Sequence, residues 1–414
     1  MMYGIDVRII LIVAGFILAC VAGDPLAVFD AFQKTVGKGE IIGPICTAMG
    51  YAFVVRATKC DVAMVNLLMR PLRKAAWLLI PGGCFVGFVT NMAITSQTAA
   101  AAALGPVLVP IMLGAGHTRI AAAATLLIGC SVGGNLFNPG EPDIVAIQTS
   151  TNAGIGNIIN AAFIPNIISL VVAMIALYFV AHKTQSVHAE EQPQQTDDLP
   201  KDVRSWLRAL LPPLPVVMLL VLQPSLNFIP WLTSRYPQGI YVSMVMIICT
   251  TLVLIVHGKE ISRIASEFFE GMGYAMAKVI SIILAASCFI GGLAALGAIE
   301  YLATVFGDNA ALAAVASPIL TWGLAVLGGS GTAPSVAFSQ SMLPALSKVD
   351  AAGAVDLGIA GAIGASVGRT MSPVAAVVLF TSTLADVPLP QLVKFVAIPM
   401  VLSLLSIVLY GLFS

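Results

Sequence analysis

Ser131-Val132-Gly133-Gly134-Asn135-Leu136-Phe137-Asn138-Pro139 and, far downstream, Ser366-Val367-Gly368-Arg369-Thr370-Met371-Ser372-Pro373 share one pattern: Ser-Val-Gly, a short polar interval, then Pro. A second echo pairs Ser96-Gln97-Thr98 with Ser339-Gln340-Ser341. Each set interrupts a long apolar run with Gly, Pro, Ser, Thr or Asn. Backbone breaks at corresponding places in two halves are the sequence pointer to the binding site of a secondary transporter.

The rest of the chain agrees with a membrane setting. Of its 414 residues 58% are hydrophobic and 10% charged, with mean hydropathy +0.97. Soluble domains carry about 25% charged residues, so most of this surface must face lipid. A net charge of +0 argues against nucleic acid as a partner. The seven Cys are scattered through apolar runs with no metal or disulfide spacing, and read as buried filler. The first run, 5–23, ends in Ile17-Leu18-Ala19-Cys20, a weak lipobox. Its leader of Asp6 and Arg8 is poorly basic, so it reads as a first membrane helix and not a cleaved signal.

Helices need about 20 apolar residues to cross a bilayer. Simple spans are expected near 5–23, 40–57, 155–181, 206–223, 239–257, 271–298 and 389–413. Two punctured blocks, 75–152 and 308–385, lie between them. The polar stretch 183–205 reads as a flexible linker. Fifteen Lys and Arg, among them Arg8, Arg56, Arg119, Arg208, Lys278 and Lys394, fall on one side of this scheme. Lys34, Lys38, Arg235 and Lys348 fall on the other. The richer side should be cytoplasmic, with the N-terminus and the linker. Segments 58–74 and 258–270 look amphipathic and are expected at the cytoplasmic surface.

That assignment gives both ends of 75–115 to the cytoplasm, which makes Thr95–Thr98 the tip of a re-entrant hairpin. Residues 310–347 form the mirror case from outside, with a tip at 328–334. A broken helix follows each hairpin, at 119–152 and 354–385. The predicted fold is therefore an all-α membrane protein. Its first inverted repeat is 1–182, its linker 183–205 and its second repeat 206–414. Non-helical backbone at membrane depth must be buried or line a wet cavity.

The chemistry is expected at the interruptions. An ionised Arg in lipid costs at least about 2.5 kcal/mol on insertion scales, so Arg369 must pair or face water. Its planar fork suits a carboxylate, with Thr370 and Ser372 beside it. The alternative is a structural ion pair with Asp356 or Glu300. The hairpin tips offer Ser96, Gln97 and Thr98 on one side and Ser330, Gly331 and Thr332 on the other. Half-helix N-termini favour anions; the hydroxyls could equally cap their own turns. The break at 133–143 supplies Asn135, Asn138, Glu141, Asp143 and freed carbonyls, an oxygen-rich set suited to a hard cation. Asn135 and Asn138 are candidate substrate ligands, and Asn91, Asn138, Glu141 and Asp143 candidates for a coupling Na⁺ or H⁺. Glu141 and Asp143 could instead mark a solvated interface.

Gly328-Gly329-Ser330-Gly331 also fits the G-x-S-G pattern of intramembrane serine proteases. Such a Ser needs a general base in reach, and the topology puts His117, His182, His188 and His257 at cytoplasmic ends. No Walker motif points to an ATP-driven pump. A passive anion channel is the remaining alternative.

Gly328–Pro334 with Ala337-Phe338, then Gly368-Arg369-Thr370-Met371-Ser372-Pro373-Val374, resembles the anaerobic C4-dicarboxylate carriers of the DcuC family, in the ion transporter superfamily. Cys60-Asp61, Lys74, Val393-Lys394 and Pro399 extend the resemblance over nearly the whole chain, and Asp143 sits where the family tends to carry an acid. The resemblance implies an inner-membrane secondary carrier, not an enzyme, with C4-dicarboxylates such as succinate or fumarate as substrates. It implies cation coupling or exchange, no bound cofactor, a homodimer, and elevator motion of the hairpins and breaks against a rigid scaffold. A monocarboxylate or an amino acid stays open as substrate. Sodium-coupled relatives carry Ser-Asn-Thr where this chain has Ser96-Gln97-Thr98, which leaves the cation open. Family members often start one helix earlier.

Overall fold

In the computed structural model the described residues are 6–72, 78–182, 203–222, 224–236, 240–258, 260–298, 301, 304–305 and 309–413. Arg73, Lys74, Trp77, Lys183, Lys201, Lys259, Glu300 and nearly all of the expected linker lie outside them. The described residues form helices and turns with no strand, and eight of the helices are long and apolar enough to cross a membrane.

The first half runs α1 Val7–Val21, α2 Ala27–Val36, α3 Gly39–Ala57, α4 Cys60–Met69, α5 Leu79–Ala93, α6 Gln97–Gly114, α7 Arg119–Ser131, α8 Pro142–Thr151 and α9 Ile155–His182. The second runs α10 Val203–Leu210, α11 Leu214–Val221, α12 Pro230–Arg235, α13 Val242–His257, α14 Ile261–Ala275, α15 Ser281–Ala295, α16 Ala310–Gly328, α17 Thr332–Leu346, α18 Ala351–Met371, α19 Ala376–Leu384 and α20 Leu389–Phe413. Side chains that offer an acceptor to the first free N–H groups start several of them. Thr118 Oγ1 accepts from the Ala121 N–H at 3.3 Å. Asn309 Oδ1 accepts from Leu312 at 2.9 Å, and Asp350 Oδ1 from Gly353 at 3.0 Å.

The last five helices of each half follow the same order. α5 and α6 form a hairpin followed by the broken pair α7 and α8; α16 and α17 form a hairpin followed by the broken pair α18 and α19. The packing is crossed, α17 lying on α8 and α6 on α19. α9 and α20 close each half and pack on each other. Each carries Pro-x-x-x-Ser, Pro165 to Ser169 and Pro399 to Ser403, and the two hydroxyls meet at 2.6 Å. Small residues permit the close approach: Ala121–Ala124 are all buried, and a Cβ built on Gly87 would come within 2.7 Å of the Gly129 carbonyl carbon.

Two apolar cores result. The larger joins the hairpins and broken helices of both halves. A second joins α3 with α11 to α14. A smaller cluster lies between these bodies, where Ile41, Ile45 and Met49 of α3 meet Val145 of α8, Ile283 of α15 and Val336 of α17.

Four expectations change. The stretch 206–223 is not one span, because Pro212 and Pro213 divide it into two eight-residue helices. Their junction is tied to α3, Tyr51 donating its hydroxyl to the Leu211 carbonyl. Residues 27–36, which belong to no expected span, form α2; its two buried side chains, Val28 and Thr35, are seven apart on one helical face. Residues 258–270 are not a separate surface arm. α14 runs antiparallel along α3, Arg263 Nη2 donating to the Ala57 carbonyl at 3.1 Å and Gly271 facing Gly50. It then continues into α15 through a π-helical turn, Met276–Ile280. Lys278, counted above with the cytoplasmic charges, therefore stands inside a continuous 35-residue helix.

Candidate functional site

Both hairpin tips, parts of both helix breaks, α3 and the α14–α15 rod wall one chamber of about 220 Å³. That volume suits a small organic molecule more than a drug-sized one.

The tips are built by their own capping. Ser96 Oγ accepts from the Ala99 N–H at 3.3 Å, which starts α6. Ser330 Oγ accepts from the Ala333 N–H at 3.3 Å. Ser96, Gln97 and Thr98 line one wall, with Ser330, Gly331 and Thr332 on another. Two helix N-termini, 18 and 15 residues long, thus begin on the chamber and bring partial positive charge to it. Thr95 Oγ1 and Gln97 Nε2 are buried there without a hydrogen-bond partner among the described residues.

Arg369 comes from the last turn of α18, where a helix C-terminus favours a cation. Only 5% of it is exposed. Its Nε donates to Ser131 Oγ at 3.3 Å and its Nη2 to the Ser131 carbonyl at 2.7 Å. Thr370 Oγ1 bonds the same Ser131 hydroxyl at 2.8 Å. The two Ser-Val-Gly echoes are thereby locked to each other, and Thr370 is a brace behind the chamber. Neither Arg369 bond uses Nη1. That nitrogen lies beside Gly331, where a built Cβ would come within 2.8 Å of it. Arg369 forms no ion pair among the described residues. Asp356, the alternative partner, sits toward the other end of α18 beside a separate cleft, and Glu300 lies outside the described residues.

The first break is a fold within a fold. Gly133 adopts φ +73°, and its carbonyl accepts from Asn166 Nδ2 at 2.6 Å. A 3-10 turn follows at Gly134–Phe137. Asn91 Oδ1 accepts from the Asn135 N–H at 3.1 Å, and Asn91 Nδ2 donates to the Ile94 carbonyl at 3.2 Å, tying the hairpin to the break. Asn138 Nδ2 donates to the Met92 carbonyl at 3.0 Å and its Oδ1 accepts from Gly140 at 2.9 Å, so both ends of its amide brace backbone. Asn135 Nδ2 donates to Glu141 Oε1 at 2.8 Å. Of this set, Glu141 lines the chamber; Asn91, Asn135, Asn138 and Asp143 stand one layer behind. Ser372 is also behind it, accepting from the Val374 N–H at 3.4 Å.

Asp143 approaches the Glu141 carboxyl and the Ser335 hydroxyl without forming a well-directed bond. Glu141 Oε2, Asp143 Oδ1, Asn135 Oδ1, Ser335 Oγ and Ser339 Oγ are all buried with no hydrogen-bond partner among the described residues. Buried oxygens of this kind in one patch are met by water, an ion or a shared proton. Glu141 and Asp143 are buried, not solvated at an interface. Ser339 belongs to the second sequence echo, which made it findable. Lys278, Tyr274 and Met49 also line the chamber; their only sequence signal was a lone Lys inside an apolar run.

A guanidinium that shares one chamber with two hairpin tips, in a bundle of membrane-length helices, defines a multi-pass membrane transporter. The chain belongs to the DcuC family, the C4-dicarboxylate anaerobic carriers, whose family model matches residues 29–413. An anaerobic C4-dicarboxylate transporter DcuC of Escherichia coli K12 is 24% identical over 383 residues, 89% of this chain and 79% of that one. A DcuC-type transporter of Vibrio cholerae is 25% identical over 382 residues, 90% and 81% of the two chains. Among solved structures, the YdaH transporter of Alcanivorax borkumensis matches with TM-score 0.64 and 16% identity over 93% of this chain and 86% of that one, a likeness of fold. The family is one of carriers, and this chain is a transporter, not an enzyme.

Proposed function

We propose that this protein is a secondary active transporter of C4-dicarboxylates such as succinate or fumarate in the bacterial inner membrane. One observation carries the reading: the Arg369 guanidinium, anchored on Ser131 through Nε and Nη2, keeps Nη1 beside Gly331 of the second tip, on a chamber that both tips line. A carboxylate there would receive a charge-assisted hydrogen bond from Arg369 and a share of the positive field of the α6 and α17 N-termini. Relatives named as C4-dicarboxylate transporters support the substrate class.

The orphaned oxygens around Glu141, Asp143, Asn135 and Ser335 are the proposed coupling site. Two neighbouring carboxyl groups cut off from water hold a cation or share a proton. The body with the hairpins would move as a unit against the α3 and α14–α15 scaffold, since the cluster between them is small and apolar; this is elevator-type alternating access, with a homodimer supplying the fixed frame. The N-terminus and the linker 183–205 are placed in the cytoplasm.

The test is uptake of labelled succinate, aspartate and lactate into proteoliposomes, with Na⁺ and proton gradients imposed separately. Saturable succinate uptake driven by one gradient, with trans-stimulation by internal succinate, is expected. Unsaturable flux would make the protein a channel, and uptake of lactate or aspartate alone would replace the substrate class.

A further inference from the structure

The chamber has a second cation. Lys278 lines it together with Arg369, from a different helix, and it stands in the middle of the only π-helical turn among the described residues, Met276–Ile280. Such turns are rare and recur at functional sites. Here the turn has a dedicated brace. Arg8 Nη1 donates to the Ala277 carbonyl at 2.9 Å and to Ser281 Oγ at 3.0 Å, while Ser281 Oγ donates to the same carbonyl at 2.7 Å. Arg8 is itself fixed by Asp6, with Nε to Oδ1 at 2.9 Å. Lys278 makes no hydrogen bond or ion pair among the described residues; Asp6, the acid whose charge it feels, is already engaged by Arg8. Glu141, also on the chamber wall, gives one carboxyl oxygen to Asn135. An ammonium on a flexible four-carbon stem is left for whatever enters.

Resting on the dicarboxylate reading above, we propose that Lys278 is the second carboxylate anchor, so that the transporter selects a four-carbon dianion by gripping one end with Arg369 and the other with Lys278. Arg369 belongs to the hairpin body and Lys278 to the scaffold. The double grip exists only in the arrangement seen here, so Lys278 serves substrate from one membrane face.

The experiment compares wild type, Lys278→Gln, Lys278→Arg and Lys34→Gln in proteoliposomes of defined orientation. Each is assayed for inhibition of labelled succinate uptake by unlabelled succinate and by succinamate, which keeps one carboxylate and replaces the other with an amide. Lys34, an exposed basic residue on α2, controls for bulk charge. The expected result is that Lys278→Gln weakens succinate by about tenfold, as for one lost charge-assisted contact. Succinamate should be unchanged, Lys278→Arg should restore succinate, and Lys34→Gln should match wild type. The loss should appear from one face only. Equal weakening of both ligands, no change in either, or an equal loss from both faces overturns the proposal. Wild-type protein that ignores succinate would instead sink the dicarboxylate reading, and that arm is read separately. Melting temperatures of all variants keep misfolding apart from lost recognition.

Discussion

Arg369 is held by a residue from the other repeat, and this sets what its substitutions should do. Arg369→Ala removes the charge and the Ser131 anchor together. Succinate uptake should fall by a factor of about 10–100, the value of a charged hydrogen bond, in protein that still inserts; normal uptake would take Arg369 out of the site. Ser131→Ala leaves the 2.7 Å bond to the carbonyl and deletes the one to Oγ. Its KM for succinate should rise by about threefold to tenfold, matching ~1 kcal/mol, with kcat little changed. Glu141→Gln keeps the shape of the break and removes a charge from the orphaned cluster. Gradient-driven accumulation should be lost while succinate–succinate exchange continues; intact accumulation would separate Glu141 from coupling. The Arg and the acids were legible in the sequence because an ionisable group in an apolar run is conspicuous. Their roles as wall or brace were not. Asn138 and Glu141 stand three apart on the same break, yet one amide is spent on backbone and one carboxyl lines the chamber. Side-chain direction in irregular backbone depends on partners 40 or more residues away, and no local pattern encodes it.

At the scale of the element, the helix breaks are held open by specific contacts. Gly133 takes a left-handed φ, and a Cβ there would come within 1.9 Å of Asn166 Oδ1. Gly133→Ala should therefore cost about 1–3 kcal/mol from backbone strain alone, plus the clash. A lower melting temperature in detergent is the readout, and an unchanged one would show that the break relaxes freely. Breaks and hairpin tips were legible because Gly, Pro and capping hydroxyls act locally, on the turn in which they stand. α2 was not, since ten residues of mixed polarity fall short of a span. The division of 206–223 is masked in the sequence because the run stays apolar on both sides of Pro212 and Pro213. The π-helical turn at Met276–Ile280 has no compositional mark, and the surroundings that brace it come from α1, some 270 residues away in sequence.

For the whole molecule, the two bodies and the apolar cluster between them make motion testable. Val336 of α17 and Ile283 of α15 pack across that boundary. In a background with the seven native Cys replaced, crosslinking Val336→Cys to Ile283→Cys should stop transport, and reduction should restore it. Full transport by the crosslinked protein would rule out sliding at this boundary. Arg119 pairs with Asp386 at 3.2 Å, and Arg263 reaches the Ala57 carbonyl, so helix ends far apart in sequence are joined.

The sequence by itself determined the membrane setting, the internal repeat, the two hairpins and two helix breaks, and the presence of a guanidinium among them. These follow from solvent preference and from residues that act within a turn of themselves. Only the tertiary structure decided which polar atoms share a chamber, that Ser131 serves Arg369, that Ser335 approaches Asp143, and that Lys278 lines the chamber. Those are facts about groups distant in sequence, and they arise when two halves pack crosswise and bury partners that the chain never places side by side.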